Sequence, residues 1–232
     1  MSFDWSLLVA PMVAGLLVLA THVPFGIEVL GRGIIFIDLA IAQVAGLGVI
    51  VAQRLDWESP FAVQAAAAVA ALAGGLLLTW TERRWPEVQE ALIGLLFVVA
   101  AAAGILLLAG NPHGGEHLQD LLAGQILWVG WERLVPVAAL YAVILGAWFA
   151  FGKRLGRTGF YILFALTVTA SVQLVGVLLV FASLIAPAVA MRRLAGSLRL
   201  AASWGLGAAA YAAGLLVSAL FDVPAGAAIV CC

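Results

Sequence analysis

Long apolar runs, parted by short polar turns, dominate the chain. They fall at about 7–23, 33–53, 61–80, 88–109, 132–151, 159–190 and 199–220, with almost no charge inside them. A helix that crosses a bilayer needs roughly 20 such residues. Hydrocarbon offers no partner to an open strand edge, so each run predicts a transmembrane α-helix. The run 159–190 is too long for one crossing. Gly176 lies midway along it and Pro187 near its end, which predicts two helices, 159–175 and 177–190, the second short. A last apolar stretch begins at Val223 and reaches Cys232, about half of one crossing. The predicted fold is all-α, a polytopic transmembrane helical bundle of about eight crossings plus a partial C-terminal one, in a single domain over residues 1–232.

Charge orients the helices. Threading the spans in order puts nine of the 11 basic residues on one side: Arg32, Arg83, Arg84, Lys153, Arg154, Arg157, Arg192, Arg193 and Arg199. Only Arg54 and Arg133 fall on the other. Basic residues collect in short cytoplasmic loops, so the crowded side is predicted to be cytoplasmic and the N-terminus external. Splitting 159–190 in two is part of this result, since one crossing there would move three arginines to the opposite face. Residues 1–6 contain Asp4 but no Lys or Arg. The basic start of a cleavable signal is therefore missing, and the first run reads as a retained helix.

Composition agrees. Hydrophobic residues make up 65% of the chain and charged ones 10%, with a mean hydropathy of +1.16. A water-soluble domain is about half apolar and a quarter charged, so too little polar surface exists here to face water. The net charge of -1 is uninformative. The two cysteines, Cys231 and Cys232, are adjacent and give neither a disulfide framework nor a metal-ligand spacing.

Several residues stand out as chemistry. Asp38 is a carboxylate a few residues into an apolar helix, where burial costs a few kcal/mol unless it is paired or wet. It reads either as part of a cation path or as an acid near the headgroups, paired with Arg32. Gln43 offers a carbonyl oxygen to a cation or a hydrogen bond to a neighbouring helix. Five residues separate the two, about 140° around a helix, so one straight helix does not bring both to one ion. On the outer side, His113, Glu116 and His117 form an H-x-x-E-H run. Imidazole with carboxylate is a reasonable set for a first-row metal. The same letters occur in an inverted zinc-protease motif, but Pro112, Gly114 and Gly115 break the helix it requires. The run is read as a metal-capture or docking loop, against a plain solvated loop. Gly176 and Pro187 are candidate gating or helix-break positions, because broken helices in transporters line cavities. Glu90 opens a helix after Pro86 and suits its N-terminal dipole.

Four stretches, in order, resemble the membrane permease subunits of the zinc/manganese/iron ABC importer family (ABC-3 type). The clearest is Leu166–Ala190, in which Gln173, Gly176, Pro187 and Ala190 occupy the family's positions. Glu90–Leu107 carries the family's Glu and two Gly, and Leu220–Val230, LFDVPAGAAIV, is similar to the start of its last helix. Gly31–Gly48 is a weaker fourth match. It departs from the family, whose second helix usually has an Asp followed four residues later by a Ser-His pair; Ala42 or Gln43 stands where the histidine would be. A carboxamide oxygen is a harder, weaker ligand than imidazole.

The resemblance implies a single permease domain, in a bacterial plasma (inner) membrane, that imports a divalent metal ion as substrate and holds no permanent cofactor. It implies as partners a cytoplasmic ABC ATPase subunit, an extracytoplasmic metal-binding protein, the lipid bilayer and a second copy of the permease. Lys153, Arg154, Gly156 and Arg157 would then form the ATPase-coupling segment, against ordinary positive-inside anchoring. The chain itself has no Walker A loop, so hydrolysis belongs on another chain and no enzyme activity is expected of this one. A G-x-S-x-G nucleophile and a basic tail for nucleic acid are absent too. Two alternatives stay open. One is the same architecture importing a metal chelate or other small solute. The other is a non-transporting scaffold or intramembrane enzyme.

Overall fold

The computed structural model describes residues 5–57, 59–109 and 126–232. Their regular structure is entirely helical. After a single 3-10 turn at Trp5–Leu8 come α1 (Val9–Arg32), α2 (Ile37–Arg54), α3 (Pro60–Arg84) and α4 (Gln89–Leu108). A 3-10 turn at Ile126–Trp128 leads into a helical run, Trp131–Val175, interrupted at Gly156. It supplies two spans, α5 (Trp131–Gly152) and α6 (Arg154–Val175). The chain continues as α7 (Val177–Ala190), α8 (Gly196–Phe221) and α9 (Ala225–Cys231).

Among the described residues, seven helices are long and apolar enough to cross a membrane: α1 to α6 and α8. The 14-residue α7 is separate. At 1.5 Å per residue it is about 21 Å long, short of a hydrocarbon core of roughly 30 Å. Gly176 makes the break that splits the long run: its φ of 83° and ψ of 160° belong to a region that L side chains rarely enter.

Two boundaries differ from those the sequence predicts. The first helix runs on to Arg32 instead of stopping near residue 23. Pro24 removes only one backbone donor, and the buried stretch around it keeps the helix intact; Gly33, at φ 69°, follows the actual stop. The segment Lys153–Arg157 is not a loop. Helix continues on both sides of it, and the kink between the two helices lies at Gly156, with φ 59° and ψ −162°.

The chain divides into two compact units. The first comprises 1–31, 120–145 and 171–232, and the second 32–119 and 146–170. In the first, α7, α8 and α9 pack on one another. Gly26 of α1 lies against the backbone carbonyl of Leu184 in α7, and Gly214 of α8 against the backbone of Ile229 in α9. Neither leaves space for a side chain, as expected where helices in lipid approach through small residues. In the second unit α2 packs on both α3 and α4. Large apolar side chains such as Leu95, Val98, Leu106, Val135 and Val143 are exposed on α4 and α5, which suits a lipid-facing surface.

Candidate functional site

The second unit gathers its polar residues where α2 and α4 begin. Asp38 sits in the first turn of α2, where a negative charge meets the positive end of the helix dipole. It is 1% exposed. Neither carboxylate oxygen has a hydrogen-bond partner among the described residues, so the pairing with Arg32 weighed from the sequence does not form as a hydrogen bond. The Arg32 guanidinium instead lies 4.2 Å from the centre of the Phe160 ring.

Glu90, from the start of α4, reaches the same helix end. Its Oε1 accepts a hydrogen bond from the backbone N–H of Phe36, the residue that precedes α2, at 3.2 Å. Its Oε2 is buried and has no partner among the described residues. Asp38 and Glu90 act on each other electrostatically. A buried carboxylate lacking hydrogen bonds is costly, and the two acids together leave three oxygens that a cation would satisfy. Gln43, half-buried, is further along α2. Among the described residues no group of three or more His, Cys, Asp or Glu comes together.

Beside the acids lies a satisfied network. Gln89 accepts from the Thr81 hydroxyl at 2.9 Å and donates from Nε2 to the Leu78 carbonyl at 3.0 Å and to the Tyr161 hydroxyl at 3.2 Å. At the outer edge of the same helix ends, Arg157 is 3.6 Å from Glu82, and Arg83 donates to the Thr158 hydroxyl at 2.8 Å. Arg157 thus ties the beginning of α6 to the end of α3. Arg154 is an exposed helical residue, and Lys153 is helical in its backbone.

The first unit holds its own polar residues. Tyr141 hydrogen-bonds Ser171. Tyr211 pairs with Ser183 at 2.9 Å, and Ser183 also donates to the Leu179 carbonyl at 2.7 Å. Pro187 lies in the last turn of α7, and its carbonyl accepts from the Ser203 hydroxyl at 3.2 Å. Arg199 donates to the neighbouring Ala188 carbonyl at 3.1 Å. The region around Pro187 is therefore laced to α8. A cavity of about 130 Å³ opens there, lined by Leu19, Leu179, Ser183, Pro187, Tyr211 and Ile229, among others.

His113, Glu116 and His117 lie outside the described residues. Two residues escape a reading of the sequence alone. Glu90 reads as an acid serving its own helix, yet it caps α2. His22 sits within α1, fully buried; an imidazole well inside a long apolar helix was the available signal.

A helical bundle that crosses the membrane many times and keeps unpaired acids inside it belongs to the class of polytopic transport proteins. The model of the ABC 3 transport family matches residues 4–160 and 155–232, and the chain belongs to that family. The manganese transport system membrane protein MntC of Halalkalibacterium halodurans is 28% identical, over 98% of this chain and 84% of MntC. The high-affinity zinc uptake system membrane protein ZnuB of Haemophilus influenzae is 22% identical, over 98% of this chain and 94% of ZnuB. A chain in the structure of PsaBC from Streptococcus pneumoniae in complex with Fab shares the fold, with a TM-score of 0.78 at 24% identity over 98% of this chain and 88% of that one.

Proposed function

We propose that this chain is the membrane-spanning permease subunit of an ATP-driven importer for a divalent transition metal: zinc, manganese or iron. The observation that carries the reading is the match, over 98% of the chain, to membrane proteins named for manganese transport and for zinc uptake. Asp38 and Glu90 support it, since their buried and unpartnered oxygens suit a cation. Gln43 adds a carbonyl oxygen on the same helix, and His113, Glu116 and His117 are an outer capture set. The metal ion is substrate, not a resident cofactor. ATP is hydrolysed on a separate cytoplasmic subunit, an extracytoplasmic binding protein delivers the ion, two permeases work as a pair, and the assembly resides in the bacterial inner membrane. Gly176 and Pro187, at the two ends of the short α7, are the positions where a change of access is easiest.

The ATPase meets the chain around Lys153–Arg157. A second docking segment is favoured by exposure: Met191–Ala195 joins α7 to α8 and leaves Arg192 and Arg193 in the open, whereas Arg157 is held by Glu82. Charge reversal at each segment, followed by co-purification of the ATPase, separates the two.

The test of function is metal accumulation, element by element, in cells with and without the chain. One of the three metals is expected to depend on it, and Asp38→Asn is expected to bring that uptake to background while the protein's level in the membrane stays normal. Undiminished uptake by Asp38→Asn removes Asp38 from the path. If no free metal depends on the chain but a metal chelate does, the cargo is the chelate.

A further inference from the structure

We propose that His22 supplies a nitrogen ligand to a borderline divalent cation as the ion passes the first unit; the proposal rests on the transport reading above and adds a ligand to it. His22 lies ten residues before the Arg32 end of α1, about 15 Å along the helix. A hydrocarbon core of roughly 30 Å puts that deep between the two surfaces. The side chain is 0% exposed. Leu19 and Gly26, three residues before it and four after, share its face of the helix. Leu19 packs at Gly207 of α8, and Gly26 at Leu184 of α7. The imidazole therefore faces neighbouring helices and not lipid.

Its hydrogen bonds define the tautomer. Nδ1 is 2.9 Å from the Val18 carbonyl oxygen. A carbonyl only accepts, so Nδ1 carries the hydrogen and donates it. The Thr21 hydroxyl, 3.1 Å from Nδ1, donates to the same carbonyl at 3.1 Å. A neutral imidazole has one N–H, which leaves Nε2 as a bare lone pair. Nε2 is buried and has no hydrogen-bond partner among the described residues. A histidine kept only for packing would place a donor opposite that lone pair, or give way to an apolar ring.

The same arrangement prepares an imidazole for metal. In metal sites the second ring nitrogen typically donates to a carbonyl or carboxylate, which fixes the ring and raises the basicity of the ligating nitrogen. Nitrogen suits zinc and iron, while manganese is well served by oxygen alone. One nitrogen, completed by water and other oxygens, also meets a transporter's need to release what it binds. Nε2 is enclosed in the present arrangement, so an ion reaches it when the helices packed on α1 part, as alternating access requires.

The test uses the complete transporter, permease with its ATPase and binding protein, in proteoliposomes. Uptake of zinc(II), iron(II) and manganese(II) is measured separately for wild type, His22→Gln and His22→Phe, with the thermal stability of each. The expected result is a loss of about tenfold or more in zinc and iron uptake for both variants, with manganese changed about threefold or less and stability unaltered. Unchanged zinc and iron uptake in both variants overturns the proposal. So does an equal loss for all three metals accompanied by lower stability, which would make His22 a packing residue. A wild type that carries manganese alone also overturns it while leaving the transport reading intact. A wild type that carries none of the three removes the transport reading itself.

Discussion

The two units treat buried polarity in opposite ways. In the first, hydroxyl groups pair off: Tyr141 with Ser171, Tyr211 with Ser183, Ser203 with the Pro187 carbonyl. These are neutral groups that join one helix to another, and each bond is complete within the protein. In the second, the Gln89 network is equally complete, but the acids beside it are not. Among the described residues, Asp38 has two oxygens without a hydrogen-bond partner, while Glu90 and Glu82 each have one. A neutral hydroxyl is satisfied by one neighbour; an acid in lipid asks for a cation, a proton or water. The contrast separates polar residues that hold helices together from those left without a partner among the described residues. His22 Nε2 and Arg199 Nε are the atoms of the first unit that, among the described residues, fall on the second unit's side of this divide.

Experiments that strain the contrast range from loss of function to almost nothing. The largest effect belongs to Asp38→Asn. Besides the loss of uptake, it is expected to leave the melting temperature in detergent unchanged or raised, because the amide removes a buried acid that is supported only by the N-terminal end of its own helix. A marked drop in stability would mean the carboxylate is structural, and the contrast would fail at its centre. Gln89→Leu comes next. It strips the Thr81, Leu78 and Tyr161 contacts at once, an expected cost of about 2 kcal/mol in denaturant or thermal unfolding. Tyr211→Phe breaks one bond of the first unit, and Ser183 retains Leu179, so about 1 kcal/mol is expected by the same measurement. Arg157→Ala is the smallest. Its ion pair with Glu82 is long at 3.6 Å, and the Arg157 side chain is 54% exposed. Screening by water holds its contribution below about 1 kcal/mol. A larger loss of ATPase binding than of stability in that variant would favour docking at Lys153–Arg157 over Met191–Ala195.

The spans were legible because lipid enforces a simple rule: every backbone group must be bonded within its own segment, so a helix shows itself as a long uncharged run. That rule located the helices, the division at Gly176 and, through the family's motifs, the transport fold. It also singled out Asp38, since an acid in such a run is conspicuous whatever surrounds it. It could not end α1 correctly, because whether Pro24 stops a helix depends on the packing around it. It could not see that helix continues on both sides of a kink within Lys153–Arg157, because a single glycine at positive φ makes the break. Nor could it bring Glu90, 52 residues further along, to the end of α2 beside Asp38.

Hydrophobic patterning, then, is a property of each segment alone, and it determined the class of protein, the number of long helices and the acid worth testing. Which polar atoms are satisfied depends on distances between segments far apart in the chain. Tertiary structure alone decided that Gln89 is complete, that Asp38 and Glu90 are not, and that His22 turns one nitrogen to its own backbone and leaves the other bare.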